Sequence, residues 1–165
     1  MFDAFCKIDG VPSESTDDKH KDWIEVLSFS HNIVQPKSAT KSSVGGAGSG
    51  RCEHGEFVIV KQLDKASPKL YEYCSSGKHL KEVILEFCRA GGDKVKYMEV
   101  KMEEVIISSV SPGGSAKGAE EIPSEEVRFD YGKIKWTYTQ QKRADGSGGG
   151  NVTGGWDLTA NKVAA

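Results

Sequence analysis

The sequence predicts a mainly-β domain, an antiparallel β-barrel or two-sheet barrel with one short α-helix at about 67–77 and long loops. Three observations predict it. Runs rich in β-branched and aromatic residues recur along the chain, with apolar side chains alternating at period two. Most of the 19 glycines fall in three clusters, at 45–55, 113–118 and 146–155, where they separate the runs. A helix-start signature followed by a terminating glycine occurs once, between Ser67 and Gly77.

Asp3 to Ile8 reads as a first strand, and Asp9-Gly10-Val11-Pro12 as a turn. Glu14 to Asp22 reads as a charged, solvated crossing. Glu14, Asp17, Asp18, His20 and Asp22 lie in it, yet no pair has a recognised metal-ligand spacing. Asp22 to Val34 reads as one long strand that Gln35-Pro36 ends, because proline cannot donate to a ladder. Its apolar phase slips, with Ile24 and Val26 on even positions and Leu27, Phe29 and Ile33 on odd ones. That slip predicts a bulge or strong twist near Val26-Leu27. Beyond it, Leu27, Phe29 and Ile33 are expected to face the core, and Ser28, Ser30 and Asn32 to form a small polar row on the opposite face.

Pro36 to Gly55 is a long insert of serine, glycine and lysine, a length that in a compact domain marks a functional or disordered loop. Its glycines lack the lysine and hydroxyl pair of a phosphate loop, and Cys52-x-His54 has no second ligand pair or orienting base. Phe57 to Leu63 reads as a core strand broken only by Lys61-Gln62. Ser67-Pro68 then supplies an N-cap and a proline at the first helical position, Leu70, Tyr73 and Cys74 a helical stripe, and Gly77 a left-handed stop. Leu80 to Arg89 fits either period and is taken as a strand, joined through Ala90-Gly91-Gly92-Asp93 to Lys94 to Val110 as a hairpin. Met98 and Met102 read as packing. Glu121 to Gln140 is a strand whose phase changes at Gly132, which predicts a bulge there. Val152 to Leu158 reads as a closing strand, and 159–165 as a frayed tail.

A chain of 165 residues with 37% hydrophobic and 28% charged residues fits one domain, residues 1–165, with 37–55 as its extended loop. The formal charge of −2 lacks the basic excess of a nucleic-acid binder, and no apolar window approaches a membrane span. The first residues lack a charged leader followed by an apolar stretch, so a cytoplasmic origin without a signal peptide is expected. Cys6, Cys52, Cys74 and Cys88 are widely spaced and read as free thiols, mostly buried. No nucleophile with its base, carboxylate pair or metal cluster stands out, so neither an enzyme nor a cofactor is expected. His31 reads as a core-edge histidine. His20, His54 and His79 read as loop residues without partners, and Glu103-Glu104, Glu120-Glu121 and Glu125-Glu126 as solvated edges.

Phe2-Asp-Ala-Phe-Cys-Lys-Ile-Asp-Gly, the stretch from Glu14 through Asp22-Trp-Ile-Glu-Val-Leu-Ser-Phe-Ser-His31, Ala66-Ser-Pro-Lys-Leu-Tyr71 and Cys88-Arg-Ala-Gly-Gly-Asp-Lys94 resemble, in order and spacing, the Hcp (hemolysin-coregulated protein) family of type VI secretion tube proteins. Cys6 and Asn32 depart from it, standing where an aliphatic residue and often a glycine are expected. The resemblance implies a barrel protomer that closes into a homohexameric ring. Rings stack into an inner tube that a contractile sheath expels behind a VgrG-type spike, carrying small effector proteins from the cytoplasm to the medium or a target cell. Within such a tube, Ser28, Ser30 and Asn32 are expected to face the lumen because of their common phase and small size, and the resemblance implies that Lys41, Ser42, Ser43, Val44, Arg51 and Glu53 belong to the loop between protomers and rings. The competing reading of the same barrel is a monomeric ligand- or carbohydrate-binding protein.

Overall fold

The segment that reads as one long strand changes partner in its middle. In the computed structural model, which describes residues 1–36, 50–92, 94–141 and 148–164, it is divided into β2 (Ile24–Val26), β3 (Ser28–Ser30) and β4 (Ile33–Val34). β2 pairs antiparallel with β1 (Phe2–Ile8), Cys6 opposite Ile24, whereas β3 pairs with β6 (Phe57–Gln62), Phe29 opposite Ile59. The Leu27 N–H already bonds the Val60 carbonyl at 2.8 Å. The remaining strands are β5 (Glu53–His54), β7 (His79–Arg89), β8 (Lys96–Gly113), β9 (Ser124–Gln141), β10 (Gly148–Asp157) and β11 (Lys162–Val163), with helix α1 (Ser67–Ser76) between β6 and β7. The ladder runs β2-β1-β7-β8-β9-β6-β3. Since β2 and β3 are consecutive pieces of one segment, the sheet closes on itself into an antiparallel barrel, as the sequence predicts. The phase slip at Val26-Leu27 is the crossing from β1 to β6.

That crossing corrects the expected buried row. Ile24 and Val26 are buried, but Leu27 is 59% exposed, Phe29 43% and Ile33 45%. Phe29 does point inward, its ring 4.6 Å from that of Phe87 and 5.9 Å from that of Phe57, but it lies at the rim, where no further layer covers it. Leu27 faces out over a shallow cleft with Leu63 and Ile122.

β9 also serves two neighbours. Residues 124–129 pair with β6 and residues 133–141 with β10, while β8 flanks both parts. Gly132 stands between them. No register shift occurs there; the irregularity lies one strand over, between Ile107 and Ser109 of β8. The glycine answers a close approach instead, since a Cβ on it would lie 2.7 Å from Oε2 and 3.2 Å from Cβ of Glu104, whose own φ is +53°. The strand expected over Val152 to Leu158 forms, but it starts earlier, at Gly148, and extends the sheet beyond the barrel. The tail expected to be frayed adds β11 to that edge, Val163 opposite Trp156.

One end of the barrel holds an ion network under α1. Lys61 and Glu125 face each other across β6 and β9 with both side chains withdrawn from solvent, so Glu125 is no solvated edge. Lys61 also reaches Asp64 at 2.9 Å. Glu125 accepts from the Ser67 hydroxyl at 2.7 Å and from the Tyr71 hydroxyl at 2.6 Å, and burial together with that carboxylate pushes the Tyr71 phenol up to about 12. The Ser67 hydroxyl is thereby spent in the network, accepting also from the Asp64 N–H at 3.0 Å. Ala66 is the N-cap residue and the Asp64 carboxylate accepts its N–H at 2.9 Å. Gly77, at φ +63°, stops the helix as predicted.

Outside the barrel, the crossing from Glu14 to Asp22 is only partly solvated, with Glu14, Asp18 and Asp22 exposed. Ser13, Ser15 and His20 are buried, the His20 ring stacked on Phe5 at 4.1 Å between centroids. Cys6 and Cys88 are buried free thiols, Cys52 and Cys74 half-buried ones, and Met102 packs in the core.

Candidate functional site

Antiparallel pairing sets side chains of directly opposite residues on one face. Ile59, Phe57, Val127 and Phe129 fill the interior, so the alternate residues of β6 and β9 point outward. Ser28 and Ser30 lie opposite Val60 and Val58 on that outer face, and next to them stand Glu126 and Arg128. Arg128 holds Glu126 at 2.7 Å and reaches Glu56 at 3.9 Å. The wall is thus low and polar: hydroxyls, two valines and a paired ion group. Asn32 is exposed beyond it, where the chain leaves β3, and its carbonyl accepts the Gly55 N–H at 2.8 Å.

Arg51 and Glu53 lie farther along. β4 and β5 form a separate two-stranded sheet, Ile33 opposite His54 and Val34 opposite Glu53, so the end of the expected loop is a strand. Arg51 is exposed and, with Ile33, His54, Trp136 and Trp156, lines a cavity of about 550 Å³ beside that sheet. Lys41, Ser42, Ser43 and Val44 lie outside the described residues, as do the glycines of 45–49.

Two histidine arrangements escaped sequence reasoning. His54, expected to have no partner, directs Nδ1 to the Tyr131 hydroxyl at 2.9 Å, and His31 brings Nε2 to the same oxygen at 2.6 Å. His31 is bonded to a neighbour at the core edge, as its position in the sequence suggests. Burial and the adjacent His54 hold His31 below the ordinary imidazole range, burial alone lowers His54, and burial raises the Tyr131 phenol. The other arrangement surrounds His20, whose Nδ1 lies 2.6 Å from Asp17 and whose Nε2 lies 2.6 Å from Glu86. A bond from Lys94 is the largest cause holding the Asp17 carboxyl down, to about 2. Sequence spacing gives no sign of Glu86, which is 66 residues away. Aromatic residues at Phe5 and Trp23, which wall the His20 ring, were the available signal.

Chemically, the groups of each arrangement bond one another. Among the described residues no cluster of three or more His, Cys, Asp or Glu is placed to hold a metal ion. No helix among them is long and apolar enough to cross a membrane. What the surface offers is contact area, since Phe2, Leu27, Phe29, Tyr138 and Val152 are exposed at 43%, 59%, 43%, 48% and 69%.

A family model described as type VI secretion system effector, Hcp, matches residues 5–138. Protein hcp1 of Pseudomonas aeruginosa is 36% identical over 160 residues, covering 96% of each chain. The Major exported protein of the same organism is 31% identical over 129 residues, 72% of this chain and 70% of its own. Among solved structures, a type six secretion system protein superposes with a TM-score of 0.91 at 34% identity, covering 99% of this chain and all of its own. Hcp1 from Salmonella typhimurium does so with a TM-score of 0.80 at 34% identity and 99% coverage of both chains. A closed antiparallel barrel with one polar wall, the family match over its core and similarity along nearly the whole chain lead to one conclusion: this chain belongs to the Hcp family of type VI secretion system proteins.

Proposed function

We propose that the protein is the structural subunit of a type VI inner tube. Protomers close into six-membered rings, the rings stack, and sheath contraction drives the tube and its VgrG-type spike out of the cytoplasm with small effector proteins in the lumen. The observation that carries this reading is the pairing of two surface types on one protomer. A smooth polar wall at Ser28 and Ser30 adjoins the exposed Leu27, while Phe29 and Phe2 stay part-exposed at the barrel rim. Exposed apolar groups on a closed barrel favour contact with other molecules, and a heterologous contact whose rotation closes generates a ring. Ser28, Ser30 and Asn32 then pave the lumen. Residues 37–55, including Lys41, Ser42, Ser43, Val44, Arg51 and Glu53, reach neighbouring protomers and rings. Ordering a loop costs about 1–2 kcal/mol per fixed residue, so each ring-ring contact is weak alone and gains from repetition around the ring. The protein acts as a mechanical part with no catalytic step.

Ser30→Glu tests the lumen assignment. It is expected to impair effector retention while light scattering still reports hexamers; unchanged retention counts against it. The cavity between Trp136 and Trp156 favours a second reading, a monomeric binder of small or carbohydrate ligands. Size exclusion with light scattering separates the two, because a strict monomer at high concentration excludes the ring.

A further inference from the structure

We propose that His31, Tyr131 and His54 form a proton-sensitive fastening, which holds the β4–β5 sheet against the barrel mouth at neutral pH and releases it on mild acidification. The proposal concerns the protomer itself and holds whatever the protomer assembles into.

The sheet needs a fastening. It consists of two residue pairs, with the Gly55 N–H to Asn32 carbonyl bond beside them, and so short a two-stranded ladder has no stability of its own in water. One ring from each side of it reaches the same anchor. His31 precedes β4, His54 ends β5, and both bond the hydroxyl of Tyr131, a residue of β9 buried in the barrel wall. Around this oxygen the rings pack on apolar surface, His31 at 5.1 Å from Phe57 and His54 at 6.5 Å from Trp136.

The bonding rules make the arrangement sensitive to protons. A phenol hydroxyl donates one hydrogen bond and accepts two, and a neutral imidazole has one donor and one acceptor nitrogen. With both rings neutral, Tyr131 donates to one and accepts from the other. One protonated ring is still served, because it donates to the oxygen while the hydroxyl donates to the neutral ring. With both rings protonated the hydroxyl proton loses its acceptor, and two half-buried like charges share one oxygen. Among the described residues, few other ionisable groups bear on the trio. Asp130 and the Cys52 thiol act on Tyr131, Glu53 precedes His54 in β5, and Arg51 lines the adjoining cavity. Among the described residues no carboxylate bonds or pairs with either imidazole, whereas His20 has two. Burial holds both His31 and His54 below the ordinary imidazole range.

The sign follows. Both imidazoles are depressed in the folded protein, so their contribution is complete above the ordinary value of 6.5 and is lost as pH falls below it through the depressed range.

Hydrogen exchange of the full-length protein tests this. Protection of the amides of Val34 and Gly55, corrected for intrinsic exchange, is measured at about pH 7.5 and about pH 5, either side of the ordinary imidazole value. The expected result is a loss of about tenfold or more in acid, while Ile59 and Val127 in the barrel stay protected. Tyr131→Phe is expected to show the acid-like exchange already at neutral pH. His31→Gln/His54→Gln, whose amides bond a hydroxyl without titrating, is expected to lose the acid response. Equal protection of Val34 and Gly55 at the two pH values, or an undiminished response in the double glutamine variant, overturns the proposal. Should that variant not fold, nuclear magnetic resonance of the imidazoles in the unaltered protein decides. The proposal stands if His31 and His54 titrate in the window where protection is lost, and falls if they do not.

Discussion

Lys61 and Glu125 face each other inside the barrel, with neither side chain reaching solvent, under the helix that closes this end. Among the described residues, their partners are each other together with Asp64, Ser67 and Tyr71. Breaking a buried pair leaves an uncompensated charge, whereas replacing both partners by apolar groups of similar volume is often neutral. Lys61→Ala is therefore expected to cost about 3–5 kcal/mol in urea unfolding. Lys61→Met/Glu125→Leu is expected to recover most of that loss. A double variant as unstable as the single one would show that the pair itself, not the orphaned charge, holds α1.

His20 bridges two carboxylates. Its two ring nitrogens each lie 2.6 Å from a carboxylate, Nδ1 from Asp17 and Nε2 from Glu86. His20→Gln is expected to destabilise the 12–22 segment, read as faster proteolysis or amide exchange there, since one side-chain amide cannot serve two carboxylates on opposite sides. Undisturbed exchange at Ser15 and Asp22, whose backbones bond each other, would refute it.

Asp17 carries an acid dependence. Its carboxyl is lowered from 3.8 to about 2, first by the bond from Lys94 and then, against the opposing effect of burial, by His20. A depressed carboxylate contributes stability that is complete above its ordinary value and is lost as pH falls through the depressed one, here from about 4 toward 2. Lys94→Met is expected to raise the Asp17 titration midpoint in a carboxyl-detected magnetic resonance titration and to move acid unfolding to higher pH. An unmoved midpoint would assign the depression to His20.

Gly132→Ala is expected to cost about 1–3 kcal/mol, because its Cβ would enter the space of Glu104, whose Oε2 lies 2.7 Å and Cβ 3.2 Å from that position. Glu104→Gly removes both atoms and relieves a φ of +53°, so the two changes together are expected to cost less than Gly132→Ala alone. Additive losses in thermal unfolding would locate the strain elsewhere.

The ring reading supplies its own variant. Leu27 is 59% exposed and faces a cleft with Ile122, so Leu27→Lys leaves the protomer core untouched. It is expected to unfold at the same temperature and to run as smaller species in light scattering. Intact hexamers would remove Leu27 from the contact.

The sequence made the strands and their faces legible wherever a strand had two neighbours. β7 and β8 follow the expected alternation, and Gly77 ends the helix as read, because local sterics and burial alone decide those features. Features set by distant residues were not legible. Lys61 looked like a lapse in an apolar run because Glu125 is 64 residues away, and Tyr131 gathers His31 and His54 from 100 and 77 residues away. Phase locates the crossing at Val26-Leu27 but not the change of neighbour, so it assigns Phe29 and Ile33 to the core, whereas Phe29 lies at the rim and Ile33 in the separate β4–β5 sheet, each part-exposed. Within the site, the period-two rule separated Ser28 and Ser30 from the interior row, but nothing in their spacing tells what lies across from them.

The barrel is stoppered differently at its two ends, with buried charge under a helix at one and aromatic and imidazole rings beneath a small sheet at the other. A subunit built this way is an arrow. Copies repeated along an axis by rotation and translation alone all point the same way. The direction of a head-to-tail filament of such copies would therefore be written into the monomer before the first contact is made.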